Sequence, residues 1–364
     1  MNIFFITDPL VTTAGAVRPA ILLANELQKH GYTTTLISLS VSEEVEKIAE
    51  EHGIEVKSLN KEFYVMQTVP TFEAWARSLF RREMALPVDA SDSDCVYINT
   101  SSCIKARSNV YYAQGPMTRA LDDMLPEMPV LYRYAYHLAG SVLRYLDRKS
   151  IKDFSRLSEL FIANSKFCAS MYEEWDFKVD EVIPPPLDRR LFSPSTSRPS
   201  EGYVLTYFGV YSKETKFAVV ESIARAGVKI KAFGGKTPQI PGYILKCPNI
   251  EFLGRVSSEK LVDLYSNALY TLFTFTHEPF GYIPIESMAC GTPVLTYNKQ
   301  GPSESVVSGS TGWLVNSDED LFNLALRLWR EGYPPSIRRN CRRRSSLFDV
   351  KNISERWINV IKNC

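Results

Sequence analysis

The sequence predicts an α/β protein made of two doubly wound, parallel-sheet domains of the Rossmann type. A length of 364 residues suits two domains, each with a core of its own. In both halves, short apolar runs rich in β-formers alternate with segments of helical periodicity. A stretch rich in proline, serine and glycine, residues 183–202, lies between the two series and is typical of a linker.

The first series starts near the N-terminus in the order β-α-β-α-β. Pro19 is typical of a helix start and Gly31 of a helix end, so these two residues bound the first helix. Later apolar runs add three more strands. The predicted strands cover residues 2–8, 33–39, 54–59, 95–99, 109–113 and 160–163, and the predicted helices cover 19–31 and 43–52.

The second series repeats the alternation after the linker. The predicted strands cover residues 204–208, 228–233, 250–253, 269–276 and 293–297, and the predicted helices cover 214–226, 258–267, 285–290, 318–330 and 337–345. We therefore expect one domain over 1–188 and a second over 189–345. Residues 346–364 are expected to form a C-terminal helix that packs back toward the first domain.

Cysteine usage and the N-terminus bear on where the chain resides. The seven cysteines are scattered and never spaced as Cys-x-x-Cys, a pattern typical of reduced cytosolic thiols. The N-terminus lacks the basic-then-apolar layout of a signal peptide, and no apolar stretch reaches about 18 residues. We expect a cytoplasmic protein, and contact with a membrane surface stays open.

The first strand-to-helix turn contains Gly15 and not the pattern Gly-x-Gly-x-x-Gly. This disfavours a dinucleotide site of the dehydrogenase kind. A single glycine where a loop enters a helix still lets backbone N–H groups approach an anion or a sugar. The alternative is an ordinary loop glycine.

The densest cluster of chemistry-bearing residues lies in 274–295. Glu278 follows a predicted strand, and Glu286 is expected in the first turn of a helix that Pro284 opens. Two carboxylates and a helix N-terminus thus converge at the carboxyl end of a strand, where open α/β sheets bind ligands. The alternative is a helix-dipole glutamate at 286 and a solvated loop glutamate at 278.

This segment resembles a known signature. Glu278-x7-Glu286, with Phe280-Gly281 inside it and Ala289-Cys-Gly-Thr-Pro-Val after it, is similar to the motif of the retaining nucleotide-sugar glycosyltransferases of family four. The likeness covers nearly the whole chain, through segments 163–167, 182–192, 252–268 and 311–315. It implies the GT-B fold, in which two Rossmann-like domains face each other across a cleft, with the acceptor bound by the first domain and the donor by the second.

The resemblance also implies roles for the two glutamates. Glu286 would accept hydrogen bonds from the ribose hydroxyls of the donor, and Glu278 would bind hydroxyls of the transferred sugar. Backbone N–H groups near Phe280, Gly281 and Tyr282 would support the sugar and the phosphates.

Further donor contacts follow from the same resemblance. The base would lie near Arg255 and Val256. His277 could contact the donor, although a solvated loop histidine is the alternative.

The family usually places an arginine and a lysine at the donor phosphates, after the first strand of the second domain. This chain has Gly209 there, followed by Val210, so the arginine is missing. Lys216 is the first candidate for the phosphate cation and Lys213 the second, while Lys236 could also reach the site. A solvated lysine at a helix start is the alternative for each.

Charge is divided between the halves in a way that suits this picture. Forty-two basic and 41 acidic residues give a net charge of +1, which disfavours a general nucleic-acid binder. Residues 1–188 carry −7, whereas residues 189–364 carry +8. A basic second half suits a donor diphosphate, because cations stabilise the negative charge that grows on the leaving group.

Two further features of the sequence bear on catalysis: a second departure from the family pattern, and a cluster of aspartates that resembles a metal site. Gln114 stands where the family commonly has a histidine, and glutamine can orient a hydroxyl but cannot take its proton. Asp89, Asp92 and Asp94 look like an Asp-x-Asp metal site, but they form a polar loop and the family needs no protein-bound metal. We expect no cofactor, the nucleotide sugar being a co-substrate.

Two segments rich in aromatic and basic residues, 72–82 and 130–156, are candidates for an acceptor-side surface. The second carries six basic and two acidic residues, which suits docking on an anionic membrane to reach a lipid-linked sugar. A core helix with a solvated basic face is the alternative. The basic run 338–344 lacks interleaved aromatics, so it favours a solvated face over nucleic-acid binding.

The sequence therefore favours a retaining glycosyltransferase that moves a sugar from a nucleotide-diphosphate donor to a glycan, including a lipid-linked one. A nucleotide-sugar epimerase on the same fold is one alternative. A non-catalytic nucleotide- or glycan-binding module is the other, favoured by the missing arginine and histidine.

Overall fold

The fold is described from a computed structural model. The structure describes residues 1–11, 15–59, 70–80, 94–128, 130–197, 199–209, 215–235, 240–275 and 277–364. Several predicted residues lie outside these ranges, namely Lys213, Lys236, Asp89 and Asp92. Within the described ranges, no helix is both long and apolar enough to cross a membrane.

Packing divides the chain into two compact units. The first comprises Met1–Asp122, Pro129–Pro186 and Val350–Cys364, and the second comprises Asp123–Met128 and Leu187–Asp349. The division therefore falls at Pro186/Leu187 and again at Asp349/Val350, whereas the sequence placed the boundaries at 188/189 and 345/346.

The first unit contains a seven-stranded parallel sheet among the described residues, in the order β3-β2-β1-β4-β5-β6-β7. Its strands are β1 (Asn2–Thr7), β2 (Thr33–Ser38), β3 (Glu55–Ser58), β4 (Cys95–Asn99), β5 (Ser108–Ala113), β6 (Ser158–Ala163) and β7 (Glu181–Val182). Its helices are α1 (Arg18–Lys29), α2 (Glu43–Glu51), α3 (Pro70–Phe80), α4 (Met117–Met124, whose last residues belong to the second unit), α5 (Val130–Leu157) and α6 (Lys166–Glu173).

The second unit contains a six-stranded parallel sheet among its described residues, in the order β10-β9-β8-β11-β12-β13. Its strands are β8 (Val204–Tyr207), β9 (Ile230–Phe233), β10 (Ile250–Gly254), β11 (Thr271–Phe273), β12 (Val294–Tyr297) and β13 (Gly312–Val315). Its helices are α7 (Phe217–Arg225), α8 (Gly242–Leu245), α9 (Ser258–Asn267), α10 (Tyr282–Ala289), α11 (Pro302–Ser305), α12 (Asp318–Glu331) and α13 (Ser336–Ser345).

The last helix, α14 (Val350–Lys362), belongs to the first unit. Its Trp357 is fully buried and packs edge-on against Tyr112 of β5, with ring centroids 5.1 Å apart. Apolar residues of α1 and of strands β1, β2 and β4 complete this core. Burial of the tryptophan in an apolar core ties the C-terminus to the first sheet.

In each sheet the strand order reverses once, between β1 and β4 in the first unit and between β8 and β11 in the second. The predicted fold class, two doubly wound parallel-sheet domains, is therefore confirmed. A reversal of strand order opens a crevice at the carboxyl ends of the two strands, which is where such sheets bind ligands.

Two arginines of the basic helix α13 turn into the protein. Arg338 pairs with Glu201 at 2.9 Å and donates to the main-chain oxygen of Ala268 and to the hydroxyl of Thr292. Arg344 donates to the carbonyl oxygens of Glu304 and Ser305. The expectation of a wholly solvated basic face is wrong for these two residues, because they satisfy carbonyl groups at the ends of neighbouring segments.

Candidate active site

The candidate site of the second unit lies where its strand order reverses. Gly209 follows β8, and residues 274–278 follow β11. The two segments meet through an antiparallel bridge between Thr215 and Phe275, and the N–H of Lys216 donates to the carbonyl of Thr274 at 3.3 Å. These bonds draw the chain out of the sheet after Phe273, so the strand predicted to reach 276 ends earlier.

Glu278 is a buried residue of the segment after β11, with 8% of its surface exposed. Its N–H donates to the side-chain oxygen of Gln300 at 2.7 Å, and its carbonyl accepts from the N–H of Gly301 at 3.0 Å. A Cβ at position 301 would lie 2.2 Å from the carbonyl oxygen of Pro279, so only glycine allows this approach. The alternative of a solvated loop glutamate is therefore wrong.

The helix after this loop, α10, begins at Tyr282 and not at Pro284 as expected. Gly281 caps it with φ of +96°, a conformation that residues with a Cβ rarely adopt. Phe280 is buried and packs edge-on against Phe348 at 5.6 Å. Because the helix starts two residues early, Glu286 falls in its second turn, which contradicts the predicted first-turn position.

Glu286 is buried with 5% of its surface exposed. The hydroxyl of Tyr265 donates to its Oε2 at 3.1 Å. Burial, together with the charge of Glu286, raises the pKa of Cys290 to about 12, so that thiol stays protonated at neutral pH. A carboxylate beyond the first turn gains little from the helix dipole, so that explanation does not account for Glu286.

His277 is also buried, at 5% exposure, and not a solvated loop residue. Its Nδ1 lies 2.8 Å from a carboxylate oxygen of Asp123, in the 123–128 segment of the same unit. Gln300 donates to that oxygen at 3.3 Å. Gln300 thus links the backbone of Glu278 to Asp123.

Lys216 occupies the N-cap position of α7, and its side chain makes no capping hydrogen bond. Its Nζ lies 2.6 Å from Oδ1 of Asp318 and 4.7 Å from the ring centroid of Tyr297. The Tyr297 hydroxyl donates to the same carboxylate oxygen at 2.7 Å. Burial raises the pKa of Asp318, but the hydrogen bonds from Lys216 and Tyr297 outweigh it and hold that pKa below its ordinary value.

Lys299 is a second cation at the same ring and was not among the predicted site residues. It follows β12, and its Nζ lies 5.2 Å from the centroid of Tyr297. Partial burial lowers the pKa of Lys299, and so does the charge of Lys216. The position of Lys299 after a predicted strand, at the same sheet edge as Glu278, could have indicated a site residue. Lys299 belongs to no recognised motif.

Two buried hydroxyl groups lie beside Lys216. Thr215 and Thr274 are each 2% exposed, and neither side-chain oxygen has a hydrogen-bond partner among the residues that the structure describes. Buried hydroxyls are usually paired, so unpaired ones point to a group that the free protein lacks.

Three other predicted donor residues, Gly15, Arg255 and Val256, belong to other segments of the chain. Arg255 and Val256 follow β10 at the outer strand of the sheet; Arg255 is exposed, and Val256 is half-buried against the core. Gly15, in the first unit, adopts φ of +71° at the start of a short 3₁₀ turn before α1. The neighbouring loop residues 12–14 are outside the described ranges.

Gln114 follows β5 in the first unit and donates to the carbonyl of Thr100 at 3.3 Å. Ser101 and Ser102 follow Thr100 in the chain, and their hydroxyls donate to the carboxylate of Asp8 at 2.7 and 3.0 Å. Asp8 was not among the predicted site residues, and its buried carboxylate joins the loops after β1 and β4. Among the described residues, no cluster of three or more His, Cys, Asp or Glu side chains could hold a metal ion.

Solved structures are similar to this chain over its whole length. The Anabaena protein HepE in complex with UDP has a TM-score of 0.70 at 16% identity, covering 100% of both chains. A sucrose-phosphate synthase from Thermosynechococcus elongatus has a TM-score of 0.72 at 16% identity, covering 100% of this chain and 98% of that one. Together with the sheet topology, these similarities define a protein of the GT-B fold.

A family model matches part of the second unit. Residues 245–345 match the family described as Glycosyl transferases group 1, and this segment includes Glu278, Glu286 and Lys299. The match is to this segment, which is a little over a quarter of the chain and lies within the second unit.

Curated relatives match over similar short segments. The alpha-1,3/1,6-mannosyltransferase of Candida glabrata is 40% identical over 83 residues, which is 21% of this chain and 18% of the relative. A probable sucrose-phosphate synthase of Thermosipho melanesiensis is 29% identical over 116 residues, which is 31% of this chain and 27% of the relative. The chain therefore spans less than a third of the length of either relative.

Proposed function

We propose that this protein is a retaining glycosyltransferase that moves a sugar from a nucleotide-diphosphate donor to a glycan acceptor, including a lipid-linked one. The observation that carries the proposal is the buried pair Glu278 and Glu286, at the sheet edge where the strand order of the second unit reverses. The complex of HepE with UDP and the mannosyltransferase relative support a nucleotide-sugar donor.

The second unit holds the donor in this proposal. Glu286 accepts hydrogen bonds from the two ribose hydroxyls, for which a carboxylate with several acceptor positions is suited. Glu278 binds hydroxyls of the transferred sugar, its position fixed by two backbone hydrogen bonds to Gln300 and Gly301. The N–H groups at the start of α10, near Gly281, face the phosphates.

Lys216 and Lys299 supply the positive charge for the diphosphate. Both ammonium groups lie within about 5 Å of the Tyr297 ring, so their mutual repulsion favours an anion between them. Lys299 thereby replaces the arginine that the family usually has and that this chain lacks. The unpaired hydroxyls of Thr215 and Thr274 support binding of an oxygen-rich group at the same place.

The reaction proceeds on one face of the sugar. The acceptor hydroxyl oxygen bonds to the anomeric carbon as the bond from that carbon to the diphosphate oxygen breaks, and the electron pair stays on the diphosphate. The acceptor proton passes to the departing phosphate oxygen. Gln114 orients the acceptor or the sugar without taking the proton, and the configuration at the anomeric carbon is retained.

In this proposal the first unit binds the acceptor, and the protein acts in the cytoplasm, in peripheral contact with a membrane. We propose no protein-bound metal, because the two lysines meet the charge that a cation would otherwise neutralise.

Release of nucleoside diphosphate from UDP-, GDP- and ADP-sugars, with and without a pool of glycan acceptors, tests the proposal. We expect turnover with one donor class. Glu278→Gln should lower the turnover rate at least about a hundredfold, because oriented hydrogen bonds to the reacting sugar are lost. Glu319→Gln, an exposed glutamate of α12, is the matched control and should keep full turnover. A wild-type protein that releases nothing from any donor contradicts the proposal.

A non-catalytic nucleotide- or glycan-binding module is the second candidate. It is favoured by Lys216, whose charge is already paired with Asp318, and by Gln114 in place of a base. Binding of a nucleotide sugar without turnover on any acceptor would favour this candidate over the enzyme.

A further inference from the structure

Helix α5 exposes a row of large apolar side chains to solvent. Leu131, Tyr134, Leu138, Val142 and Tyr145 are 78, 68, 87, 58 and 68% exposed. They recur every three or four residues, so they lie on one side of the helix. This apolar stripe is about 21 Å long at the rise of an α-helix. Soluble monomers rarely leave so continuous an apolar patch uncovered.

The same side of the helix becomes basic toward its C-terminal end. Lys149, Lys152 and Arg156 continue the spacing of three and four residues, and all three are exposed. We call these residues the basic stripe. Between Met128 and Leu146 the chain contains no acidic residue, and neither stripe contains one. A ligand of this face therefore meets apolar groups followed by positive charge.

The opposite side of α5 belongs to the core of the first unit. Gly140, Asp147, Ile151 and Phe154 are buried there, and the indole N–H of Trp75 donates to Asp147 at 3.0 Å. Trp75 is only 1% exposed, so its expected place on an acceptor-side surface is wrong. The alternative of a core helix with a merely solvated outer face does not explain the apolar stripe.

Two of the six basic residues in 130–156 are paired with carboxylates, which offset their positive charge. Arg144 pairs with Asp122 at 2.8 Å, and Arg148 pairs with Asp176 at 2.9 Å. The remaining positive charge of the face is concentrated in the basic stripe, at one end of the apolar stripe.

We propose that this face of α5 docks the protein on an anionic lipid surface. Leucine and valine side chains enter the acyl boundary, tyrosine rings lie at the headgroup level, and the basic stripe meets lipid phosphates. A second copy of the chain fits the face less well, because paired helices with exposed lysines and no acidic residues repel each other. The inference depends on α5 alone and not on the proposed sugar transfer.

Flotation of the full chain with phosphatidylcholine vesicles, with and without phosphatidylglycerol, tests this docking. We expect flotation with the anionic vesicles only, weakened by salt. The double variant Leu131→Ser/Leu138→Ser should lower the partition coefficient at least about tenfold, since it removes buried apolar area. The variant Lys149→Gln/Lys152→Gln should also lower it, by about thirtyfold, since each of the two cations near the surface contributes about 1 kcal/mol.

The control is Leu347→Ser, which removes a leucine that is 54% exposed outside α5, and it should float like the wild type. Equal flotation with neutral and anionic vesicles, or none with either, overturns the proposal. So does a dimer in analytical ultracentrifugation that Leu131→Ser/Leu138→Ser dissociates, because a second copy then covers the face.

Discussion

At the scale of single residues, Glu278 and Lys299 show what the sequence reveals and what it hides. Glu278 was found because it belongs to a motif with fixed spacing. Its burial was not predictable, since it depends on Gln300 and Gly301, which follow a different strand. Lys299 belongs to no motif, and its neighbour Lys216 is far away in sequence. Both lysines lie at Tyr297 because the carboxyl ends of β8 and β12 meet at the same edge of the parallel sheet.

The two lysines should bind the diphosphate part of the donor. We expect Lys299→Gln and Lys216→Gln each to weaken binding of the nucleoside diphosphate about tenfold, because a charge-assisted hydrogen bond is lost. Binding of the bare nucleoside should not change. Calorimetry with the two ligands measures this difference.

Lys246→Gln, at an exposed lysine after α8, is the matched control. Lys299→Arg, which keeps the positive charge, should retain the affinity for the nucleoside diphosphate. Equal loss of nucleoside and nucleoside-diphosphate affinity in Lys299→Gln would assign that residue a structural role.

The pair of Lys216 and Asp318 predicts a pH effect with a definite sign. The folded-state pKa of Asp318 is lowered, so the stability it contributes is present above the ordinary pKa of an aspartate and is lost as pH falls through the folded value. In Lys216→Gln the carboxyl loses its hydrogen-bonded ammonium, and its pKa should rise. Carboxyl chemical shifts in an NMR titration measure it, and an unchanged or lower pKa contradicts the pairing.

At the scale of elements, propensity and capping predicted most helices and strands. The bounds of α9 coincide with the prediction, since Ser257 caps it by accepting from Lys260. The predictions for β11 and α10 failed at their ends, for one reason. The backbone between them is set by tertiary bonds to Thr215 and Gly301, and no local pattern reports those contacts.

Gly281 should be required at the start of α10. We expect Gly281→Ala to lower the free energy of unfolding by about 1–3 kcal/mol, because alanine is strained at positive φ. The new Cβ would also lie 3.2 Å from Pro302. Urea denaturation measures the loss. Gly202→Ala, at a glycine with ordinary φ and open space around its Cα, should change stability little; a similar loss in both variants contradicts this account.

Arg338 should stabilise the packing of α13. We expect Arg338→Met to lower the free energy of unfolding by about 1–3 kcal/mol, because buried carbonyl groups lose their donor. The matched control is Arg339→Met, at an exposed neighbour of the same helix. Comparable unfolding midpoints for the two variants would show that the inward bonds of Arg338 contribute nothing.

At the scale of the whole molecule, the sequence predicted two doubly wound domains because the alternation of elements is regular in both halves. The return of α14 to the first unit depends on a buried apolar face of this helix, formed by Ile353, Trp357, Val360 and Ile361. The charge division, −7 over residues 1–188 and +8 over 189–364, agrees with a proposed donor site in the second unit.

A thermal-shift screen of UDP-, GDP- and ADP-sugars tests the central claim, that the second unit binds a nucleotide sugar through Glu286. One donor class at a hundred times its Kd should stabilise the wild type by about 2.7 kcal/mol. Glu286→Gln, which can still accept from Tyr265, should lose most of this shift, whereas Glu319→Gln should keep it. The account is contradicted by a wild type that no nucleotide sugar stabilises, or by a Glu286→Gln variant that shifts as much as the wild type.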